Sequence, residues 1–480
     1  MNFQDYTNYN DNNSEDLSKR IRIMTNALRN RKNSNADYIY PNLDEVELFT
    51  NFCIEKENYL DAEMYAKIWI EYCPQSSEAF HKLGYIKLQL DELEEAMTYV
   101  DKALEFNPFD SDVMLTKVKI YEEYGHYGFC LDILENILTF DSTNEEAIFY
   151  KGIALSNMHL FNDAIEVFES IVENEDYRID VLSELAIVYT ELNNKTEAEK
   201  YYNLALDLAP FDSKIWYNKG LMHNNFGQLF KAIDALIFSI SSDKKNYYAY
   251  KLLATIYANI GRFNESASIY ESALEQFKNN SELLTHLGGV YGDIGMFDKA
   301  ISSFTKAINI NENNFQAYLG RGICFDMIDE YENAIADYDS AIAIDPTNVE
   351  LWYSKADSLY NMGKFKRALN SYKKVIEIDP LNEEAYYDYS NLLLEMEEFE
   401  KAKDAFTDMI TNFPHYAWGY YGLSKIYFLQ AILDLALENL VKAIELDYEL
   451  INDFKTTYKI LLQDYPEILE FVESKLNIND

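Results

Sequence analysis

Two aspartates separated by one residue, Asp337 and Asp339, lie in the stretch AIADYDSAIAIDPTN (residues 334–348). Paired carboxylates can bind a divalent cation or share a proton in acid–base catalysis, so they are the first candidate for chemistry. However, the stretches ALNSYKKVIEIDPLN and AMTYVDKALEFNPFD keep the spacing from Ala to Pro, while the first replaces both aspartates and the second replaces the one at the place of Asp337. Side chains two apart on a helix also do not face one another. We therefore expect both carboxylates to belong to a solvated face.

The spacing from Ala to Pro belongs to an internal repeat. Phasing the chain at 34 residues gives twelve repeats from Leu43 to Leu450 without an insertion or deletion. The twentieth place of the repeat is Ala in ten repeats, and the small residues Cys130 and Ser266 occupy it in the other two. The eighth place is Gly, Ala or Ser in ten repeats, and six of the eight prolines fall on the thirty-second place. A fixed period of this length predicts a stack of one supersecondary unit.

Each repeat is predicted to contain two antiparallel helices. Apolar residues recur at helical spacing in each half, as with Trp352 and Leu359 and then Ala368 and Tyr372. Small residues at the eighth and twentieth places let the two helices approach closely, and the aromatic or Leu at the twenty-fourth place fills the space towards the next repeat. Proline ends the second helix, and Gly363 and its equivalents supply backbone freedom at the turn. The prediction is an all-α fold without a sheet.

Composition narrows the class of partner and the compartment. The chain has 82 acidic and 41 basic residues, a net charge of −41, which disfavours nucleic acid and anionic membranes and favours basic or neutral protein partners. No apolar run approaches the roughly 20 residues of a membrane span, and the first residues do not resemble a signal peptide. The four cysteines show no CxxC pairing, so we expect reduced core cysteines in a cytoplasmic protein.

The repeat resembles the tetratricopeptide repeat over most of the chain. The residues that carry the resemblance are Trp216, Gly220, Tyr257, Tyr291, Ala300, Phe304, Ala307, Tyr318, Gly322 and Pro346. The resemblance implies a right-handed superhelical solenoid whose concave groove, lined by first helices, binds peptides or partner proteins. Two repeats, 111–144 and 213–246, depart locally from the pattern, and we expect softer junctions there.

Sequence motifs for catalysis are absent. The six histidines are scattered without an HExxH pair, and the chain has no P-loop, no GxGxxG and no GxSxG. The residues outside the repeats, 1–42 and 451–480, are too few for a catalytic domain. We therefore expect a protein that is not an enzyme, without a cofactor and without a metal site.

The candidate binding residues are those of the first helices that point away from the second helices, at about the second, fifth, ninth and twelfth places. In the last three repeats these are Tyr353, Asp357, Tyr360, Tyr387, Asn391, Trp418, Tyr421, Lys425 and Phe428. Tyr and Trp offer a large contact area with few rotatable bonds. The strip is predicted to be the binding surface of a non-enzymatic protein–protein interaction scaffold, and the alternative is that several of these residues pack between repeats.

A second functional hypothesis is a regulatory or structural subunit of a larger complex that docks through its convex or terminal surfaces. The two ends bear on it. Residues 1–42 form a polar tail with a basic amphipathic segment at 17–32, which either caps the array, binds an acidic partner or occupies the acidic groove. Residues 451–480 are predicted to be one or two capping helices, which repeat arrays need for solubility.

Overall fold

The regular secondary structure is entirely α-helical. The computed structural model describes residues 17–26, 28 and 41–476, and no strand occurs among them. They form two compact units, one ending at Gln228 and the other beginning at Leu229. The predicted all-α class, a solenoid of paired helices, is confirmed. Within the described ranges, no helix combines the length and apolar character that a bilayer crossing requires.

The helices are numbered in chain order. The first compact unit contains α1 (residues 17–26), α2 (Leu43–Glu55), α3 (Tyr59–Tyr72), α4 (Ser77–Gln89), α5 (Leu93–Phe106), α6 (Ser111–Glu123), α7 (Tyr127–Phe140), α8 (Glu145–Asn157), α9 (Phe161–Ile171), α10 (Arg178–Glu191), α11 (Lys195–Leu208) and α12 (Ser213–Asn225). The second contains α13 (Leu229–Ser242), α14 (Tyr247–Asn259), α15 (Phe263–Gln276), α16 (Ser281–Asp293), α17 (Phe297–Ile310), α18 (Phe315–Asp326), α19 (Tyr331–Ile344), α20 (Val349–Asn361), α21 (Phe365–Ile378), α22 (Glu383–Glu395), α23 (Phe399–Asn412), α24 (Ala417–Leu429), α25 (Leu433–Leu446), α26 (Leu450–Thr457), α27 (Lys459–Asp464) and α28 (Pro466–Lys475).

The helix boundaries follow the predicted repeat. Eleven of the twelve predicted repeats begin on the first residue of a helix, and each contains two helices. The residue before most first helices is Asn, Asp or Ser, and its side chain accepts a hydrogen bond from the helix backbone, as Asn348 does from the amide of Leu351. The exception lies at the end of the repeat 145–178. Its second helix α9 ends at Ile171, and α10 begins at Arg178, one residue before the predicted start of the next repeat.

The small residues at the eighth place leave room for the ring at the twenty-fourth place. A Cβ built on Gly288 would lie only 2.8 Å from the ring of Phe304 in the same repeat. The same ring would meet a Cβ on Gly320, in the next repeat, at 2.4 Å. The predicted role of this ring between neighbouring repeats is therefore confirmed, because it packs against both of them.

Every turn between the paired helices uses a left-handed residue at the fifteenth place of the repeat. Five of these residues are glycines, including Gly363 with φ +70°. The other seven carry a side chain, and among them is Ala431 with φ 58°. Since this region is disfavoured for residues with a Cβ, the geometry of the stack imposes the turn even where the sequence lacks glycine.

The structure corrects the prediction for Asp337. Its side chain is buried rather than solvated, and it binds the guanidinium of Arg321 on α18 through two hydrogen bonds, Nε to Oδ2 at 2.8 Å and Nη2 to Oδ1 at 2.7 Å. Asp339 is half exposed and pairs with Lys355 of the next repeat. Each aspartate of the opening motif therefore has a basic partner from a neighbouring first helix.

The pairing of Asp339 recurs elsewhere in the stack. It joins the twenty-fifth place of one repeat to the seventh place of the next, as Asp101 does with Lys117 at 2.7 Å and Glu135 with Lys151 at 3.6 Å. Arg321 occupies the same seventh place, but the residue it meets in the preceding repeat is the neutral Thr305, at 2.9 Å. Its charge is balanced instead by Asp337, within its own repeat.

The described part of the basic segment packs against the first repeat. Ile21 and Thr25 of α1 are buried, and the Thr25 hydroxyl lies 2.9 Å from the hydroxyl of Tyr65 on α3. Arg20 forms an ion pair with Glu45 of α2 at 2.6 Å. The contact is thus both apolar and ionic. Most of the polar tail and the end of the 17–32 segment lie outside the described residues.

The C-terminal segment forms three short helices, α26 to α28. Phe454 of α26 and Val472 of α28 are fully buried in one cluster with Leu440 of α25. The apolar face of the last repeat is therefore covered by residues that follow it in the chain.

Candidate functional site

The nine predicted binding residues lie on the first helices of the last three repeats. Tyr353, Asp357 and Tyr360 are on α20, Tyr387 and Asn391 are on α22, and Trp418, Tyr421, Lys425 and Phe428 are on α24. Their spacing of three or four residues places those of each helix on one side of it. The structure divides them into a polar cavity and an aromatic chain.

Four of the nine residues line a cavity of about 360 Å³ between α20 and α22, here named the α20–α22 cavity. The lining residues are Tyr353, Asp357, Tyr360, Tyr372, Asp388, Asn391, Leu392 and Glu395. Three of them are tyrosines and three are carboxylates, and no basic residue is included. The cavity therefore combines aromatic surface with concentrated negative charge.

Hydrogen bonds from the tyrosines hold the carboxylates of this cavity in place. The Tyr372 hydroxyl donates to Asp357 Oδ1 at 2.5 Å, and the Tyr353 hydroxyl donates to Asp388 Oδ2. The third carboxylate, Glu395, accepts from the Tyr360 hydroxyl at 2.9 Å and from the Asn391 amide at 2.8 Å. The acidic groups are thus fixed by neutral donors, which leave their charge uncompensated.

The electrostatics of the cavity follow from this arrangement. The pKa of Asp357 is raised, first by removal of the carboxyl from water and then by the charges of Asp388 and Asp326, and the bond from Tyr372 offsets part of this rise. The pKa of Asp388 is raised in the same way, with Glu384 and Glu395 as the neighbouring charges. A positive charge placed in the cavity would lower the pKa of both carboxyl groups.

The remaining predicted residues form a chain of rings along α22 and α24. Tyr387 packs edge-on against Trp418, with ring centroids 5.4 Å apart, and Trp418 packs edge-on against Tyr421 at 5.7 Å. Lys425 lies over the Tyr421 ring at 4.4 Å. Phe428 contacts Tyr458 of the C-terminal segment at 4.9 Å.

Tyr421 differs from the tyrosines at the equivalent place in the two preceding repeats. Tyr353 and Tyr387 are half-buried, whereas the side chain of Tyr421 is only 1% exposed. Its hydroxyl donates to Asp453 of α26 at 2.5 Å, because the C-terminal segment packs where a further repeat would otherwise stand. Tyr421 therefore packs beneath Trp418 and has no exposed ring surface for a partner to contact.

Models of one repeat family match this chain in six segments. Segments 77–110, 179–212, 281–314, 349–382 and 371–404 match models described as tetratricopeptide repeat, and 329–363 matches one described as TPR repeat. Four of the six begin and end at the boundaries of predicted repeats. The chain is a tetratricopeptide repeat protein.

Two curated relatives and one solved structure are similar to parts of this chain. BBSome complex member BBS4 of Bos taurus is 28% identical over 198 residues, covering 41% of this chain and 38% of the relative. DnaJ homolog subfamily C member 7 of Mus musculus is 23% identical over 223 residues, covering 43% and 45%. The chain thus spans less than half the length of these relatives. The C-terminal part of a TPR repeat-containing protein from Cytophaga hutchinsonii is 20% identical, covers 49% of this chain and 97% of that chain, and has a TM-score of 0.43.

Sequence reasoning missed half of the residues that line the α20–α22 cavity. The sequence pattern predicts that Tyr372 packs between tetratricopeptide repeats, and its ring does pack there while its hydroxyl reaches Asp357. Asp388, Leu392 and Glu395 are on α22, beside the predicted places. The detectable signal was that α22 carries acidic residues flanking Asn391, one turn away on either side.

A larger cavity of about 690 Å³ lies away from the predicted residues, among α24, α25 and α28. Its lining includes the apolar side chains of Leu437, Val441 and Phe471. None of the nine predicted residues borders it. It is therefore a separate feature at the C-terminal end of the tetratricopeptide array.

The four cysteines are free thiols in the structure. Cys53, Cys130 and Cys324 are buried, and Cys73 is half-buried. Burial raises the pKa of the Cys53 thiol to about 12 and those of Cys130 and Cys324 to about 11. Because the thiolate is the nucleophile, these three buried thiols are unsuited to nucleophilic chemistry near neutral pH.

Proposed function

We propose that this chain is a non-enzymatic scaffold that binds a peptide or partner protein along the first-helix face of α20, α22 and α24. The observation that carries the proposal is the α20–α22 cavity, whose lining includes four predicted residues and three carboxylates, Asp357 being one of both. The net charge of −41 favours a basic or neutral partner. Its relatives include a complex member and a DnaJ homolog, which agrees with a role in protein association.

The energetics of such a contact would rest on a few side chains. Tyrosine and tryptophan are enriched among the few interface residues whose truncation costs about 2 kcal/mol or more. Tyr360 keeps 37% of its surface exposed, and Tyr387 is half-buried beside the cavity. These two rings therefore offer contact area next to fixed carboxylates, which would supply the orientation of the bound segment.

Selection of peptides from a random display library on the full chain tests the proposal. We expect selected peptides to bind Y360A/Y387A at least about tenfold more weakly than the unchanged chain, because two contact rings are removed. The matched control is F230A, since Phe230 is a 77% exposed ring on the second helix α13. Unchanged affinity for Y360A/Y387A in a folded variant would contradict the proposal.

The second candidate is a regulatory or structural subunit that docks through its convex or terminal surfaces. The 690 Å³ cavity beside α28 favours it, because Leu437, Val441 and Phe471 offer apolar surface at the C-terminal end. The display selection separates the two functions. Peptides that lose affinity for V441D or F471D, and keep it for Y360A/Y387A, would support terminal docking.

We also propose a cytoplasmic location for the scaffold. The proposal is supported by four free thiols in a chain of this length, since disulfides are favoured outside reducing compartments. Localisation of a fluorescently tagged full chain in the source cell tests it. Accumulation of the tagged chain inside an organelle would contradict it.

A further inference from the structure

We propose that the α20–α22 cavity takes the cationic tip of one arginine or lysine side chain from an extended peptide. The inference rests on the proposed function and adds the chemistry of one contact within that binding face. The charge of the cavity and its aromatic surface identify this occupant.

Two carboxylate oxygens in the cavity are available to a donor. Asp357 accepts a hydrogen bond through Oδ1 and Asp388 through Oδ2, while the second oxygen of each accepts none from the residues that the structure describes. Both carboxylates line the open cavity. A guanidinium or an ammonium carries several N–H donors and can reach more than one such oxygen.

Two carboxylates of the neighbouring helix α19 are paired with bases. Asp337 binds Arg321, and Asp339 binds Lys355. In contrast, no lysine, arginine or histidine lines the α20–α22 cavity, and the groups that bond to Asp357 and Asp388 are neutral tyrosine hydroxyls. The pKa of each of these two aspartates is raised, first by removal of the carboxyl from water and then by neighbouring carboxylates, and no nearby cation offsets the rise. The cavity thus lacks a counter-charge of the kind that Asp337 and Asp339 have.

The aromatic faces of the cavity also favour a cation. Several rings in this chain are covered by a cation of the chain itself, such as Trp352 by Lys355 at 5.1 Å and Tyr421 by Lys425 at 4.4 Å. Among the described residues, no lysine or arginine lies over the rings of Tyr353, Tyr360 or Tyr372, which border the cavity. Ring faces beside carboxylates attract organic cations, and the apolar stem of the side chain would lie against them.

The geometry is held before any ligand arrives. The rings of Tyr353 and Tyr372 pack edge to face at 5.6 Å, and their hydroxyls fix Asp388 and Asp357. Leu392 is buried and closes the cavity from α22. Little ordering is then required when a side chain enters, which favours affinity.

Three labelled peptides test the inference on the full chain. They share the sequence Gly-Ser-Tyr-Gly-X-Gly-Tyr-Gly-Ser with a fluorescein label, where X is arginine, lysine or the neutral isostere citrulline. Fluorescence anisotropy is measured at about 50 mM NaCl, where surface charges are weakly screened. We expect the arginine or lysine peptide to bind at least about tenfold more tightly than the citrulline peptide, because the charge-assisted hydrogen bonds are lost with citrulline.

A pair of charge-matched variants locates the contact. D357N/D388N removes two charges from the cavity, and each asparagine oxygen can still accept the tyrosine hydroxyl. D404N/D408N removes two charges from the exposed side of α23. We expect the cationic peptides to bind D357N/D388N at least about tenfold more weakly and D404N/D408N within about twofold, with both variants folded by circular dichroism.

Several results would overturn the inference. Equal binding of the arginine and citrulline peptides would remove the role of charge, and equal loss in both double variants would show only the general field of the chain. Binding of spermidine or CaCl2 that depends on Asp357 and Asp388, without peptide binding, would assign the cavity to a small cation. If none of the three peptides binds, while library-selected peptides still need Tyr360 and Tyr387, the proposed function stands and this inference fails.

Discussion

Replacing Asp337 with asparagine should destabilise the chain substantially, contrary to what its position in the sequence suggests. The carboxylate is 5% exposed and receives two hydrogen bonds from Arg321, whose side chain is 18% exposed. Loss of one partner of a fully buried ion pair costs about 3–5 kcal/mol. Arg321 reaches some solvent and keeps its bond to Thr305. We therefore expect D337N to lower the free energy of unfolding by about 2–3 kcal/mol.

The matched control lies two residues further along the same helix. Asp339 is 49% exposed and pairs with Lys355, so D339N should cost less than about 1 kcal/mol. Urea unfolding followed by far-UV circular dichroism gives the difference between the two variants. Amide hydrogen exchange in α18 and α19 shows whether the loss is local, as expected for a stack of repeats.

A double-mutant cycle tests the cause of the effect. R321M leaves Asp337 without its base, and R321M/D337L removes both charges. We expect the double variant to be more stable than R321M, because no unpaired charge stays buried. If D337N proves no more costly than D339N, the reasoning from burial and bidentate pairing is refuted.

The remaining predictions concern two glycines, a turn, an unpaired hydroxyl and a half-buried acid. G288A should cost about 1–3 kcal/mol because its Cβ would overlap Phe304, whereas G289A, which meets nothing within 4 Å, should stabilise α16 by about 0.5–1 kcal/mol; urea unfolding compares the two. A431G should raise the urea midpoint slightly, since it relieves a left-handed alanine at φ 58°. S266A should be neutral or stabilise by about 1 kcal/mol, because the buried Ser266 hydroxyl lacks a hydrogen-bond partner within the described residues. The pKa of Glu184 is raised from 4.5 to about 7, first by burial and then by Glu122 and Asp180, so the unchanged chain loses stability as pH rises through that window. E184Q should therefore match it near the lower end of the window and exceed it above the upper end, in urea midpoints measured across the range.

Each of these predictions has a result that would contradict it. Equal effects of G288A and G289A would show that the ring can move aside at no cost. A lower midpoint for A431G would mean that flexibility of the unfolded chain outweighs strain in the turn. A large loss in S266A would reveal an interaction of that hydroxyl. A difference between E184Q and the unchanged chain that does not vary with pH would remove titration of Glu184 as its cause.

The fold was predictable because close packing of the helix backbones requires particular residue types at fixed places of the repeat. The same steric requirements recur from repeat to repeat: Ala at the twentieth place, a small residue at the eighth and, in six repeats, proline at the thirty-second. A single sequence therefore reveals where each repeat begins. The α9–α10 boundary was missed because its one-residue shift leaves those places unchanged. Local sequence pattern fixes a helix frame better than it fixes where a helix ends.

The site was only partly predictable because side-chain pairing depends on neighbours that do not repeat. Asp337 is buried because Arg321 faces it, and no other repeat was seen to combine those two residues at those places. Tyr421 shares its place with Tyr353, but α26 covers it. The cavity residue Asp388 lies at the sixth place of its repeat, which is not one of the four places predicted to face a partner.

The ring of Phe304 has a consequence for how the second compact unit comes apart. It packs against Gly288 in its own repeat and against Gly320 in the following one, so it is part of the core of both repeats. Detaching one repeat would leave a void in its neighbour, and the neighbour would lose part of its own core. Interior repeats should therefore be protected from proteases by their neighbours, and cleavage under native conditions should begin at a terminal repeat and advance along the unit one repeat at a time.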